Sequence, residues 1–285
     1  MRAQRLLHSP IITAASCDRI GTNINGPSLI KVPDWVEAPL GSYYLYFAHH
    51  RGDHIRLAYA DSVTGPWHVH RPGVLPLSEA GFSHHIASPE IVVDDTAREI
   101  RMFFHGGDEI KNQYTRLATS RDGLAFAAGA ENLMNPYARI FNHRGSTYAI
   151  AMPGQFYRSA DGRNFEAGPL LFTRDMRHAA VWVEDDLLHV IYSNRGDAPE
   201  SLLHCTIDLS GDWNGWQPSA PTVLLAPERD YEGAHLPVVP SVIGPADEPV
   251  NQLRDPAVYF EDGRRYLIYA IAGEQGLALA ELFPS

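Results

Sequence analysis

The sequence predicts an all-β fold, a five-bladed β-propeller. A phrase of three short strands recurs five times, most copies end in a turn followed by an aromatic residue, and long amphipathic helical periodicity is absent. The first copy holds the apolar runs 27–32, 43–48 and 55–61, followed by Trp67. Short runs rich in Val, Ile, Tyr and Phe between turn residues are typical of strands and hairpins. Repetition of such a sheet-sized unit indicates radial symmetry.

The other four copies predict the remaining four blades. Their three inner runs are 89–93, 100–104 and 115–120; 137–141, 147–151 and 155–160; 179–183, 187–192 and 202–207; and 255–260, 265–270 and 276–282. The first four copies also have an outer run, at 73–77, 131–134, 168–172 and 221–225.

The fifth copy has no outer run of its own, and the spare strand lies at the other terminus, at 6–13. Pairing it with the last blade would close the ring and remove an exposed sheet edge. A β-sandwich is the alternative, but the four-strand period favours the propeller. We expect one domain over residues 1–285. Its longest connection, 228–254, has the length of a functional loop.

Composition narrows the class of protein. The chain has 285 residues, 45% of them hydrophobic, which is enough for a packed core. A net charge of −11 argues against binding to nucleic acid or to an anionic membrane surface. Cys17 and Cys205 match no metal or disulfide pattern, and we expect two free thiols in preference to a disulfide. Without a signal-like start or a membrane-spanning run, the sequence predicts a cytoplasmic protein of undetermined oligomeric state.

In a propeller, the starts of the innermost strands and the turns between the second and third strands meet at one mouth of the central channel. These segments should therefore supply the site. The polar residues that they place there include Asn25, His50, Arg51, His85, Glu90, His105, Arg139, Arg177, His178, Arg195, Arg254 and Asp255.

Four segments carry a resemblance to a known family: 26–32, 43–47, 88–93 and 254–260. They resemble the five-bladed propeller glycosidases of the arabinanase, β-xylosidase and invertase type, similar to glycoside hydrolase family 43, and the likeness spans nearly the whole chain. The resemblance implies a small carbohydrate substrate. It also implies three carboxylates around a central pocket, namely a general base, a general acid and an acid that tunes a pKa.

The chain departs from this family at the base. The resemblance places an Asp before a Pro at the start of the first inner strand, where this sequence has Asn25 and Gly26. Compared blade by blade, the predicted Asp-Pro slot is occupied by Gly26, Ser88, Asn135, His178 and Asp255. The catalytic candidates are therefore Asp255, Glu232, Glu90, His85 and His178. Glu232 precedes a Gly, as the family's general acid does. Each carboxylate also has a purely structural interpretation.

The arginines point to an anionic ligand. Arg51, Arg139, Arg177, Arg195 and Arg254 fall on the predicted site face, and a guanidinium matches a carboxylate in two hydrogen bonds. A uronic-acid sugar is the natural ligand for such a face in a carbohydrate-active fold. With Asn25, His50 and His105 they form the predicted substrate-binding set. The alternative is that the arginines pair with the nearby acids Asp53, Asp108, Asp197 and Glu200.

A divalent metal on the axis is a further option. His50, His85, His105 and His178 could converge there with a carboxylate. Since no two of them show metal-motif spacing, we assign no metal ligand and predict no definite cofactor.

Three functions follow from the sequence. The first is a glycoside hydrolase acting on a small oligosaccharide or glycoside. The second is a uronide lyase on the same fold, which the missing blade-one Asp and the Arg and His residues favour. The third is a non-catalytic sugar-binding propeller. Fold alone does not choose between them, and we expect an enzyme with hydrolysis as its first assignment.

Overall fold

The computed structural model describes residues 1–284, so the last residue of the predicted domain lies outside the described part. Its regular structure is almost entirely β, and its five antiparallel sheets are arranged as a five-bladed β-propeller, which confirms the predicted fold class.

The strands are numbered β1 to β21 in chain order. Blade one comprises β3 Asn25–Lys31, β4 Tyr43–Ala48, β5 His54–Ala60 and β6 His68–Pro76. Blade two comprises β7 Ile86–Asp94, β8 Glu99–Gly107, β9 Gln113–Ser120 and β10 Ala127–Ala128. Blade three comprises β11 Arg139–His143, β12 Ser146–Ala151, β13 Gln155–Ser159 and β14 Glu166–Leu170. Blade four comprises β15 Met176–Glu184, β16 Leu187–Asn194, β17 Leu202–Asp208 and β18 Thr222–Leu225. Blade five comprises β19 Arg254–Glu261, β20 Arg264–Ile271, β21 Gly276–Phe283, β1 Arg2–Arg5 and β2 Ile12–Thr13.

The N-terminus closes the ring, as expected, although the closing strand begins earlier than predicted. β1 pairs antiparallel with β21 from Arg2 opposite Phe283 to Arg5 opposite Ala280, and β2 pairs with the other end of β21. Between them the chain leaves regular pairing around Pro10, which has no N–H to donate to the ladder. The predicted run 6–13 is therefore divided: Leu6, Ile11 and β2 still bond to β21, and β1 extends the outer strand back to Arg2.

The hydrophobic core lies between neighbouring blades, because each middle strand points alternate side chains to opposite faces. In β4, Tyr44 and Tyr46 pack with blade two, whereas Leu45 and Phe47 pack with blade five, and all four are fully buried. Each blade thus buries both of its faces.

A β-bulge recurs near the start of every inner strand. Two successive residues there oppose a single residue of the neighbouring strand, for example Gly26 and Pro27 in blade one. The first bulged residue has positive φ in four blades, with values of 58° at Gly26, 46° at Ser88, 62° at Tyr137 and 47° at Asp255. Such backbone is rare outside glycine and is often found at functional sites.

The bulges correct the predicted slot in two blades. In blade three the slot residue is Tyr137, because Pro136 still accepts a ladder hydrogen bond from the Met152 N–H at 3.0 Å and lies before the bulge. In blade four it is Arg177, since Arg177 and His178 together oppose one residue of β16. The proline that follows the slot residue in blades one, two and five lies one residue before it in blade three and is missing in blade four.

The cysteines and the absence of a membrane-spanning run were both predicted from the composition. Cys17 and Cys205 are free, as predicted, and Cys205 is buried. Across residues 1–284, no helix is both long and apolar enough to cross a membrane.

Candidate active site

A pocket of about 690 Å³ opens at the mouth where the inner strands begin, the mouth that the sequence predicted. Its volume lies in the range of small-molecule sites. The polar residues among its lining are His50, Lys111, Asn112, Gln113, Tyr137, Arg174, Asp175, Arg177, His178 and Arg195.

A buried imidazole–carboxylate pair lies at the inner end of this pocket. The Nδ1 of His178 contacts Oδ1 of Asp255, and the two residues are 4% and 1% exposed. The other oxygen of Asp255 accepts the N–H of Gly26 at 3.3 Å. Because Nδ1 faces the carboxylate, the Nε2 side of the ring is left for the pocket that His178 lines. Blades four and five thus supply an oriented imidazole.

Close packing explains why blade one offers no aspartate in its slot. A Cβ on Gly26 would lie 2.8 Å from the Cα of Ser88, and the φ of Gly26 is +58°. Real Cβ atoms do not approach backbone so closely, and L-residues rarely adopt this φ. The bulge of blade two fills the space that an acidic side chain would need.

Tyr137 stands between two histidines on the channel axis. Its ring centroid is 3.9 Å from that of His105 and 3.9 Å from that of His178. Burial, followed by the negative charge of Glu274, raises the pKa of Tyr137, so that its hydroxyl stays protonated at neutral pH. Tyr137 also lines the pocket.

The histidines continue as a row. His50 stacks on His85 at 6.4 Å between centroids, and His85 meets His105 edge-on at 5.6 Å. Burial lowers the pKa of His85 to about 4, and it holds the pKa values of His105 and His178 well below the usual range. These three imidazoles are neutral at neutral pH.

The row does not fit a metal ion. Among the described residues, no three His, Cys, Asp or Glu side chains are grouped so that they could hold one. The imidazoles face each other as stacked or edge-on rings, whereas metal ligands direct their nitrogens at a common point. We therefore derive no step through a metal.

A buried ion network supports one wall of the site. Arg254 donates to Glu274 at 3.0 Å and lies 3.3 Å from Glu200, and all three are at most 2% exposed. Glu274 also accepts the side-chain amides of Asn23 at 2.5 Å and Asn25 at 3.1 Å. Burial alone would raise the pKa of Glu274, but the hydrogen bond and charge of His50 and the charge of Arg254 lower it to about 2. His50, Arg254 and Asn23 therefore hold Glu274 ionised, and the predicted substrate-binding residues Asn25 and Arg254 both contact this buried carboxylate.

The pocket itself is cationic, although the protein is acidic. Lys111, Arg174, Arg177 and Arg195 line it, against one lining carboxylate, Asp175. Arg195 donates to that carboxylate at 2.8 Å, and Arg177 lies 3.4 Å from the fully buried Glu200. These two pairs leave Lys111 and Arg174 as the other lining cations. All five predicted arginines pair with a carboxylate, as the alternative interpretation expected, but Glu200 is the one partner among the acids that it named. The lining therefore carries more positive than negative charge.

Arg51 lies outside the lining of this pocket and donates to Asp247 at 2.8 Å on the surface. His85 and His105 lie behind the pocket, in the row that His50 begins.

Glu232 lies outside the lining of the pocket. It is fully buried at the outer edge of blade five, where its carboxylate accepts from Arg5 Nε at 2.8 Å and from the hydroxyl of Tyr269 at 2.9 Å. The backbone N–H groups of Glu228 and Arg229 complete its shell at 2.8 and 3.0 Å. The enclosed carboxylate fixes β1 to the loop and is absent from the lining of the pocket.

Arg139 fills the channel, and Glu90 lies beyond it. Arg139 donates to inner-strand carbonyls of all four other blades, those of Pro27, Pro89, Ala179 and Pro256, at 2.8 to 3.4 Å. It also pairs with Glu90 at 2.7 Å. Glu90 lines a separate pocket of about 360 Å³ among residues from the middles and ends of the inner strands, towards the opposite mouth. The structure thus separates Glu90 from the Asp255–His178 pair.

Sequence reasoning missed Tyr137, Lys111 and Arg174. In the sequence, Tyr137 resembles a core aromatic of its strand. Counting back four residues from Phe141, as from the equivalent residues of the other inner strands, would have placed Tyr137 in the slot. Lys111 lies in the turn between the second and third strands of blade two, a segment that was considered, but no sequence pattern marked it there. Arg174 lies in the connection before β15, outside the segments considered.

Comparison with known proteins agrees with this architecture. No protein-family model matches the sequence. The chain is 36% identical over 297 residues to the uncharacterized protein R118 of Acanthamoeba polyphaga mimivirus, covering 91% of this chain and 83% of that protein.

Among solved structures, the chain is similar to a family-43 β-xylosidase/α-arabinofuranosidase from a compost microbial metagenome, in complex with xylotriose. The TM-score is 0.67 at 13% identity, over 99% of this chain and 96% of the other. It is also similar to a family-43 enzyme of Xanthomonas citri complexed with xylose, with a TM-score of 0.63 at 10% identity over 93% and 88% of the two chains. The chain therefore belongs to one family with the mimivirus protein, and it shares the five-bladed propeller fold of the family-43 structures.

Proposed function

We propose that this protein is a carbohydrate-active enzyme that cleaves the glycosidic bond of a small anionic sugar, with His178 as its base. The observation that carries the proposal is the Asp255–His178 pair at the inner end of the cationic pocket. The fold supports the substrate class, because the similar family-43 structures are complexed with xylose and xylotriose.

The pair suits proton abstraction. Burial keeps His178 neutral, Asp255 holds the proton on Nδ1, and the lone pair on Nε2 is available on the pocket side. A carboxylate behind an imidazole fixes its tautomer and stabilises the imidazolium formed when it accepts a proton. Tyr137, protonated and adjacent, can give a proton to the oxygen that leaves.

The cations of the pocket support a negatively charged sugar as the substrate. Arg174 and Lys111 line the pocket without a carboxylate partner among residues 1–284. Each can meet a carboxylate on the sugar ring, and an arginine can do so in two hydrogen bonds. A uronic acid carries that carboxylate.

Hydrolysis is the first assignment. His178 would take a proton from water as the water oxygen bonds to the anomeric carbon. The bond from that carbon to the glycosidic oxygen would break, and Tyr137 would protonate the departing oxygen. This arrangement would use an imidazole and a phenol in place of the usual two carboxylates.

Elimination is the second candidate, and one observation favours it. Asp255, Glu200 and Glu274 are at most 1% exposed and are held by His or Arg, so none is free as the second carboxylate of a hydrolase. In elimination His178 removes the proton beside the sugar carboxylate. A carbon–carbon double bond forms, and the bond to the oxygen on the adjacent carbon breaks as Tyr137 protonates that oxygen.

A product assay tests both routes. The purified protein is incubated with aryl and oligomeric uronides, and reducing ends and ultraviolet absorbance are followed together. Hydrolysis yields reducing ends without absorbance, whereas elimination yields the absorbance of an unsaturated uronide. His178→Asn should abolish either signal, while His235→Gln, at an exposed histidine of the long loop, should leave it unchanged. Folded protein that cleaves no member of the panel would overturn the proposal.

A further inference from the structure

Four aliphatic side chains are exposed together on the long loop before β19. Val238, Val239, Val242 and Ile243 are 58, 44, 66 and 77% exposed within six residues, and we call them the apolar ridge. Single exposed aliphatics are ordinary on a surface, but a cluster of them marks a binding surface.

The ridge is held in place by its backbone. Ser241, in its middle, donates its N–H to Asp197 O at 3.1 Å, and its side chain and carbonyl accept the N–H of Gly196 at 3.0 and 3.2 Å. Arg177 donates to the carbonyl of Val242, and Arg254 donates to that of Gly244 at 3.4 Å. Four backbone groups of residues 241–244 thus bond to blades four and five, while the aliphatic side chains face solvent.

The ridge adjoins the cationic pocket. Ile243 and Gly244 line that pocket together with Arg177 and Arg195. Lys111 also lines the pocket, and Ile110, the residue before it in the chain, is 79% exposed. The site thus has a positive interior and an aliphatic rim, which complements a ligand with an acidic end and an apolar end.

We infer that the ridge binds the apolar leaving group of the substrate, so that the substrate class is an aryl or alkyl glycoside of an acidic sugar. The inference rests on the proposed function, which places the acidic sugar in the pocket. The apolar group would leave water when it covers the ridge, and the gain follows the apolar area buried. A second copy of this chain is the competing occupant.

Calorimetric titration with uncleaved thioglycosides tests this without relying on turnover. The probes are the phenyl and methyl thioglycosides of glucuronic and galacturonic acid, in both anomers. Wild-type protein should bind the phenyl compound about tenfold or more tighter than its methyl counterpart, a difference of about 1.4 kcal/mol. The double variant Val242→Ser/Ile243→Ser should lose that preference and keep its affinity for the methyl compound. Val223→Ser, at a valine 65% exposed on β18, is the matched control and should behave as wild type.

Each other result contradicts the inference in a different way. Equal affinity of the wild type for phenyl and methyl uronides removes the ridge from substrate binding and leaves the acidic-sugar site standing. Failure of every uronide to bind removes the proposed function and this inference together. A wild-type dimer in sedimentation that the double variant dissociates assigns the ridge to a second copy of the chain.

Discussion

At the scale of single residues, the site is defined by what occupies the bulge of each blade. Gly26, Ser88, Tyr137, Arg177 and Asp255 hold equivalent positions, and each does something different there. Gly26 leaves room for blade two, and Ser88 fills that room. Tyr137, Arg177 and Asp255 carry a phenol, a cation and a carboxylate. A symmetric backbone thus carries an asymmetric site.

The close approach of Gly26 to Ser88 predicts that no side chain is tolerated at position 26. Gly26→Ala should lower the free energy of unfolding by about 2 kcal/mol or more, because it adds left-handed strain and a contact with the Cα of Ser88. Gly211→Ala, where a Cβ would meet nothing within 4 Å, is the control. Chemical denaturation measures both, and equal stability of the two variants would refute the packing argument.

The buried histidines predict acid lability. Burial lowers the pKa of His85 to about 4, below the usual value in the unfolded chain, so the unfolded state binds the proton more readily. Stability is then fully present at neutral pH and is lost as pH falls from about 6.5 towards 4. Thermal melts across this range should show a shallower decline for His85→Gln than for wild type. An unchanged slope would contradict the pKa direction.

At the scale of elements, β1 closes the ring and the buried Arg5–Glu232 pair fixes it. Removing one partner of a buried pair leaves the other charge uncompensated, at a cost of about 3–5 kcal/mol. Glu232→Gln should therefore lower the melting temperature while the folded fraction keeps its activity. Glu228→Gln, at a side chain 64% exposed, should change little. A loss of kcat at unchanged stability would return Glu232 to the catalytic site.

The repeat made the blades predictable, because apolar alternation and turn residues are local signals. Ring closure was also predictable, since the fifth blade lacked its outer strand. The bulges were not, because their register depends on pairing with the next strand and Pro136 marked the wrong position. Glu232 was misleading for a similar reason: a Glu-Gly pair in a loop does not show that Arg5, from the other end of the chain, neutralises it.

At the scale of the whole molecule, Arg139 connects the inner strands of the five blades across the propeller axis. One guanidinium satisfies carbonyls from four blades, so its loss leaves several buried acceptors without partners. Arg139→Met should lower the free energy of unfolding by about 3 kcal/mol or more, and Arg139→Lys should recover only part of it. Urea denaturation measures the effect. A methionine variant as stable as wild type would show that the blades hold together without this tie.

The central claim is that an acidic sugar occupies the pocket in front of His178. A crystal structure of the protein soaked with an uncleaved thiouronide tests it most directly. The account predicts a sugar whose carboxylate meets Arg174 or Lys111 and whose ring lies within hydrogen-bond reach of His178 Nε2. Sugar bound only at the opposite mouth beside Glu90, or none at saturating concentration, would contradict it.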